Sequence, residues 1–367
     1  MSAVEVSPRS NVEIAAPRFG PEEEAAVLAV MRSGFLAQGP RVGEFERRFA
    51  EEVGSRHAIA TSNGSTALQL ALVAHGVGPG DEVITTAQSF IATANAIAHT
   101  GARPVFADID DTLNLAPDAV EAALTPRTRA ILAVHLHGNP ADLAELGRIA
   151  EAHDVLLIQD ACQAVGATFG GHGLGRFGTA AYSLYATKNL TTGEGGMIVT
   201  NSDDVAATCR RLRHQAYGDQ PYLHDGIGHN FRMTELQAAI GIVQLDRLHA
   251  ITTARREIAG WYDAGLDAER YPRPRVLSQA AHVYHQYTVR FPAGGEARDK
   301  ARSALAAAGI ASGVYYPVPL HQQPPYRSSA APCPEAERAS EDMLSIPVHP
   351  AVSPADAERV VQVLRRL

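Results

Sequence analysis

Residues 57–76 read HAIATSNGSTALQLALVAHG, and the fold turns on them. A short apolar run, HAIATS, stops at small polar residues, and an amphipathic pattern, STALQLALVAHG, follows. That is the signature of a strand passing through a tight loop into a helix. The unit recurs downstream. DEVITT (81–86) precedes FIATANAIAHTG (90–101), and RPVFADI (103–109) and RAILAVHL (129–136) follow. Next come PADLAELGRIAEAH (140–153), VLLIQDA (155–161), AAYSLYA (180–186) and GGMIVTN (195–201). Alternation at this rate predicts a largely parallel sheet with helices on both faces. Ligands on such sheets bind beyond the carboxyl ends of the strands.

Upstream, PEEEAAVLAVMRSG (21–34) and VGEFERRFAEEVG (42–54) read as helices. Pro21 suits a first turn, three glutamates complement the helix dipole, and Gly34 and Gly54 are stops. Downstream, residues 235–266 form one long helical pattern. Beyond it stand isolated strand-like pieces, HQYTVRF (285–291), SGVYYPV (312–318) and DMLSIPV (342–348), separated by helical RDKARSALAAAG (298–309) and PADAERVVQVLRRL (354–367). The expected organisation is a large α/β domain over 1–250, carrying an N-terminal arm, and a small α+β domain over 251–367. The Pro-rich YPVPLHQQPPYR (316–327) reads as an ordered loop.

Composition narrows the function. The 367-residue chain is 46 % hydrophobic and 20 % charged, with net charge −8. No basic stripe suggests nucleic acid, and no apolar run is long enough to span a membrane. The first residues, MSAVEVSPRSNVEIAAP, lack the basic start and apolar core of a secretory signal. Three cysteines (Cys162, Cys209, Cys333) without CxxC spacing fit a reducing cytoplasm.

Lys and Arg total 32, yet only Lys188 and Lys300 are lysine. Lys188 lies in the apolar, Gly-rich SLYATKNLTTGEGGMIV (183–199). A lone lysine is more often a surface charge, but only a primary amine can form a Schiff base. Asp160 closes the apolar strand VLLIQDA, where a carboxylate is costly unless paired or capping a helix. The small polar Ser62–Thr66 at a strand-to-helix turn can cradle an anion, although a plain helix cap reads the same way. Phe90, after DEVITT, can offer a ring face at the same edge, or be core. His135 and His137 alternate in VHLHG and are expected on one strand face; two such histidines suggest metal ligands, but no third ligand is apparent. Cys162 reads as a small core residue. A phosphate cradle, a buried carboxylate, an aromatic plate and a sequestered lysine are together what pyridoxal 5′-phosphate needs.

The chain resembles the DegT/DnrJ/StrS-type aminotransferases, pyridoxal-phosphate enzymes of fold type I that aminate keto-sugars. The resemblance runs from about residue 18 to the end. It rests on SGFLAQGPRVGEFERRFA, SNGSTALQLAL, GPGDEVITTAQSFIATANAI, GARPVFADID, IQDACQAVGA, SLYATKNLTTGEGG, GHNFRMTELQAAIG and YYPVPLHQQPPY, in family order. It implies a large domain with a mainly parallel seven-stranded sheet and a small C-terminal α+β domain. It implies Lys188 as the Schiff-base lysine holding the cofactor as an internal aldimine. Asp160 faces the pyridine nitrogen and Gln163 the ring hydroxyl. Gly64, Ser65, Thr66 and Ser183 form the phosphate site, completed by Asn230 of a neighbouring subunit, and Phe90 stacks on the ring. His137, Tyr316 and His321 fall near the expected substrate pocket.

Three positions depart from the family's usual residues. Gly64-Ser65-Thr66 replaces Gly-Thr-Ala, His137 replaces a tyrosine, and Tyr315-Tyr316-Pro317 replaces His-Tyr-Pro. The implied protein is a cytoplasmic homodimer with shared active sites and no metal. It would move an amino group from an amino acid, by family habit L-glutamate, to a nucleotide-linked keto-sugar, in amino-sugar biosynthesis for a secondary metabolite such as an antibiotic, or for a surface polysaccharide. Amination of a keto-cyclitol and a catalytically silent regulatory paralogue are the alternatives.

Overall fold

The structure is a computed structural model that describes residues 11–220, 222–327 and 331–367. The first ten residues, read above as part of an N-terminus without a secretory signal, lie outside the described residues.

Two helices open the chain, α1 (Pro21–Ser33) and α2 (Pro40–Val53). Both start on a proline, whose missing N–H costs nothing at that position. Both end on a left-handed glycine, Gly34 and Gly54. The amino end of α2 is capped from far away. The Glu235 carboxylate accepts from the N–H groups of Gly39, Arg41 and Val42, each at 2.9 Å.

The expected alternation follows: β1 (His57–Thr61), α3 (Gly64–Ala74), β2 (Glu82–Thr86), α4 (Ala92–Ala98), β3 (Arg103–Ala107), α5 (Pro117–Ala123) and β4 (Thr128–Val134). Then come α6 (Leu143–Ala152), β5 (Leu156–Asp160), the short β6 (Thr168–Phe169) and β7 (His172–Gly173), β8 (Thr179–Ser183) and β9 (Gly196–Thr200). Seven of these strands form one sheet in the order β1-β9-β8-β5-β4-β2-β3. The pairs from β8 to β3 are parallel, whereas β9 runs antiparallel to both its neighbours. Two reversals restore direction, so β1 points the same way as β2, β4, β5 and β8. The carboxyl ends of all five therefore lie on one edge.

After α7 (Asp203–Arg213) comes α8 (Glu235–Gly265), whose start is fixed by a reciprocal capping box between Thr234 and Gln237. This helix runs unbroken through residue 250. Its first half packs on α1 and α2 and its second half on the C-terminal part. There β10 (Ala280–Ala281) joins β6, and β11 (Tyr287–Arg290) pairs antiparallel with β12 (Met343–Ile346). The helices α9 (Gly295–Ala307), α10 (Pro334–Asp342) and α11 (Pro354–Arg365) complete it. A separate apolar cluster gathers Tyr262, Val289, Leu305, Leu344, Val360 and Leu364. The segment SGVYYPV, expected as strand-like, makes only one bridge, Gly313 to Ser345. No helix among the described residues is long and apolar enough to cross a membrane.

Candidate active site

The shared carboxyl edge collects the residues singled out above. Ser65 follows β1, Phe90 follows β2, His137 follows β4, Asp160 ends β5, Gln163 follows it, Ser183 ends β8 and Lys188 lies just beyond. Each sits one loop from a strand end, the arrangement that α/β sheets use for ligands.

The anion cradle is built by close approach. A side chain at Gly64 would put its Cβ 2.8 Å from Ser183 Cβ and 3.0 Å from Cys162 Sγ. Only glycine lets the start of α3 settle against the end of β8. Asn63 caps that start, its side chain accepting from Thr66 N–H at 2.9 Å. The Thr66 hydroxyl is itself enlisted, 2.9 Å from Asn63 O and 3.1 Å from Ser62 Oγ. Ser65 is exposed at the same turn. Helix geometry leaves the Gly64 and Ser65 N–H groups without intrahelical acceptors, and the dipole adds positive potential. The set fits a phosphate group.

Asp160 is 5 % exposed. Its Oδ2 accepts from Thr93 Oγ1 at 2.7 Å and its Oδ1 from Cys162 N–H at 3.1 Å. Thr93 Oγ1 in turn lies 2.8 Å from Ser89 Oγ. Lys188 is partly buried in the loop between β8 and β9. Its own N–H donates to Tyr185 O at 2.9 Å. The next residue anchors the loop, Asn189 Nδ2 donating to Val283 O at 3.0 Å. Burial holds the Lys188 ammonium below the usual lysine range, against the opposing pull of Cys162 and Asp160. A weakened ammonium beside a buried carboxylate is what an imine-forming amine requires. Cys162 is pushed the other way: burial and then Asp160 hold its thiol well above the usual range, so it is a poor nucleophile.

Phe90 is 53 % exposed, its ring 5.7 Å from that of Tyr316. Gln163 Nε2 donates to Tyr316 OH at 3.1 Å, while its Oε1 accepts from His137 N–H at 2.6 Å. Burial, then Asp160, push the Tyr316 phenol up, so it stays protonated. Lysine, carboxylate, cradle and exposed ring thus suit a phosphorylated pyridine aldehyde.

One expectation needs correction. His135 and His137 do not share a strand face, because β4 ends at Val134 and His137 turns with φ 59°. His135 Nε2 meets Gln159 Oε1 at 3.1 Å, and its Nδ1 accepts from Ala141 N–H at 3.0 Å. His137, expected at the substrate, is 3 % exposed with both ring nitrogens engaged, by Tyr315 O and Thr288 Oγ1. His321, also expected there, is buried against Glu337 at 2.9 Å and lines a hollow with Gln322, Arg327 and Pro332. Asn230 is exposed at an isolated bridge to His214, and the carbonyl of the next residue, Phe231, accepts from Ser62 N–H at 2.8 Å just after β1.

The residues not foreseen are Thr93, Asn189 and Thr288. All three act through neighbours distant in sequence, so no local pattern marks them.

Known proteins resemble this chain over nearly its whole length. Residues 17–365 match the DegT/DnrJ/EryC1/StrS aminotransferase family. GDP-perosamine synthase of Caulobacter vibrioides is 42 % identical, the match covering 96 % of this chain and 97 % of that protein. A pleiotropic regulatory protein of Geobacillus stearothermophilus is 43 % identical over 93 % of each. The crystal structure of DesV from S. venezuelae, in complex with a ketimine intermediate, superposes with TM-score 0.90 at 38 % identity and 94 % coverage of both chains.

Proposed function

This chain belongs to the DegT/DnrJ/EryC1/StrS aminotransferase family, and from that premise we propose that it moves an amino group from L-glutamate to a nucleotide-linked keto-sugar. It is a pyridoxal-phosphate-dependent aminotransferase. The acceptor class rests on one observation, the 42 % identity over nearly the whole length to a protein named GDP-perosamine synthase.

Pyridoxal phosphate, when bound, supplies an exchangeable imine carbon and an electron sink. The chain's own residues supply the rest. Ser65, Ser183 and the first amides of α3 anchor the phosphate, with Gly64 and Thr66 shaping the turn. Asp160 would keep a positive charge on the ring nitrogen. Phe90 would cover one ring face, and Gln163 would reach the ring hydroxyl. Lys188 Nζ, with its depressed proton affinity, takes a proton from the substrate carbon and returns it. Tyr316 offers a neutral hydroxyl beside Gln163.

The same reading takes residues 1–250 as the cofactor-binding domain and 251–367 as the small domain, supported by the separate apolar cluster around β11 and β12. The decisive experiment is a panel of nucleotide-linked amino-sugars and free aminocyclitols run in reverse with 2-oxoglutarate. Turnover of the nucleotide-linked compounds alone supports the proposal; turnover of aminocyclitols alone transfers it to that class. The Geobacillus relative's name favours a second reading, regulation without catalysis. A yellow protein whose colour is lost on borohydride reduction, and which turns over some member of the panel, excludes it.

The working unit is a homodimer with shared sites. Asn230 is exposed, as are Phe35 (71 %), Tyr222 (85 %) and Ile227 (92 %), an apolar set suited to a partner surface. Lys188→Ala and Asn230→Ala subunits, each nearly inactive alone, should complement when mixed. Half the dimers are then hybrids with one intact site, so roughly a quarter of wild-type activity returns. Absence of rescue after confirmed subunit exchange would place both residues in one chain's site.

A further inference from the structure

We propose that His137 is a positioning residue: a neutral imidazole that clamps the turn after β4 and so sets which end of the Gln163 amide faces the cofactor. The proposal rests on the aminotransferase reading above and assigns the residue a role other than substrate contact.

The hydrogen-bond chain has only one consistent polarity. The Tyr315 carbonyl, 3.1 Å from His137 Nε2, can only accept, so Nε2 carries the proton. In the neutral ring Nδ1 is then an acceptor, and the Thr288 hydroxyl at 3.1 Å must donate to it. Thr288, having spent its proton, accepts from Ser345 Oγ at 2.8 Å. Burial, opposed by the Tyr315 carbonyl and aided by the Lys188 charge, pushes the imidazole down to about 4, which agrees with one proton on the ring.

Thr288 lies on β11 and Ser345 on β12, so the ring is held by the C-terminal sheet, while its backbone belongs to the edge of the large sheet. That backbone is in the left-handed region, φ 59°, ψ 6°, and Gly138 follows at φ 88°. A left-handed backbone is disfavoured for a residue with a side chain, so His137 needs its surroundings to hold it. The ring contacts do so. What the turn delivers is the His137 N–H, aimed at Gln163 Oε1 at 2.6 Å. An N–H can meet only an acceptor, so the amide oxygen is fixed inward and Nε2 is left as the outward donor, where it reaches Tyr316 OH. Without the clamp the amide can flip, presenting an acceptor in place of a donor.

The test combines kinetics, cofactor optics and a cofactor-free measurement. His137→Ala should lower kcat by about tenfold, the value of one well-placed hydrogen bond, with KM for donor and acceptor within about twofold of wild type. It should also shift the visible band of the bound cofactor. His137→Gln, which keeps an N–H toward Tyr315 O, should recover most of both. In a Gln163→Ala background, His137→Ala should add less than about a further twofold loss, because the residue acts through that amide. Thr288→Val removes the donor to Nδ1 without touching the turn and should move kcat and band in the same direction; it decides the matter if His137→Ala does not fold. In cofactor-free protein, nitrogen NMR of His137 should show a proton on Nε2 only. A raised KM at unchanged kcat, additive losses with Gln163→Ala, an unshifted band or a proton on Nδ1 would each overturn the clamp. These failures presuppose a wild-type enzyme that is coloured and active; a colourless, inactive wild type would instead defeat the aminotransferase reading itself.

Discussion

Lys188→Arg will give a folded, positively charged and inert protein, with turnover reduced on the order of a thousandfold or more. The substitution separates charge from chemistry. The Lys188 charge contributes to holding His137 and His285 neutral, and an arginine would continue to do so. The loop would also keep its anchors, since Asn189 still reaches Val283 O and residue 188 still donates its own N–H to Tyr185 O. What disappears is the primary amine. A guanidinium does not form the imine, and because it stays charged throughout the accessible pH range it is useless as a proton carrier near neutrality. The proposed phosphate anchors, Ser65 and Ser183, are untouched, so the cofactor can still associate, but borohydride will no longer fix it to the chain. Peptide mass spectrometry after borohydride should find the adduct on residue 188 in the wild type and nowhere in the variant. Lys300, the other lysine, is exposed on α9, ten residues past the end of β11 in the C-terminal part. An adduct there, or near-normal turnover in the variant, would mean that the wrong lysine had been chosen.

The case for Lys188 is chemical rather than structural: in a chain that uses arginine for charge, a lysine in an apolar loop has a reason. The sheet was legible for a different cause. Each strand is a short apolar run separated by a helix-period segment, and a buried parallel sheet demands that alternation. What could not be seen was direction. β9 is buried along its length, so its sequence reads the same whether it runs with its neighbours or against them, and its reversal depends on the turn from Ser183 to Gly196. Period-two spacing misled at His135 and His137. The alternation is real, but β4 stops one residue earlier, and a left-handed turn sends the two rings to unrelated partners. Nor does anything local reveal that Glu337 of α10 will meet His321 Nε2. Thr93 shows the limit most clearly. It is one threonine among several in TTAQSFIATANAI, and it matters only because α4 folds back to bring its hydroxyl to Asp160.

That contact is also why Asp160→Asn should be a clean electrostatic experiment. The carboxylate accepts from both the Thr93 hydroxyl and the Cys162 N–H. Asparagine can keep both contacts. Its Oδ1 continues to accept from Cys162 N–H, and its Nδ2 faces Thr93, whose hydroxyl can rotate to accept and donate onward to Ser89 Oγ at 2.8 Å. No buried polar atom is then stranded, so stability should change little, and the denaturation midpoint of the cofactor-free protein checks this. The phosphate cradle is unaffected, so cofactor should remain bound. The one thing lost is the negative charge proposed to hold a proton on the ring nitrogen. In a dry site a fixed charge of this kind is worth on the order of a hundredfold or more in rate, about 2.7 kcal/mol. The loss should appear in kcat for both half-reactions, since both draw on the same electron sink. Thr93→Val supplies the control: it removes one hydrogen bond to the carboxylate but leaves the charge, and should cost about tenfold or less. If Asp160→Asn were near normal in rate while Thr93→Val was the more damaging, the carboxylate would be acting as a structural acceptor for α4, and the charge would have to come from elsewhere.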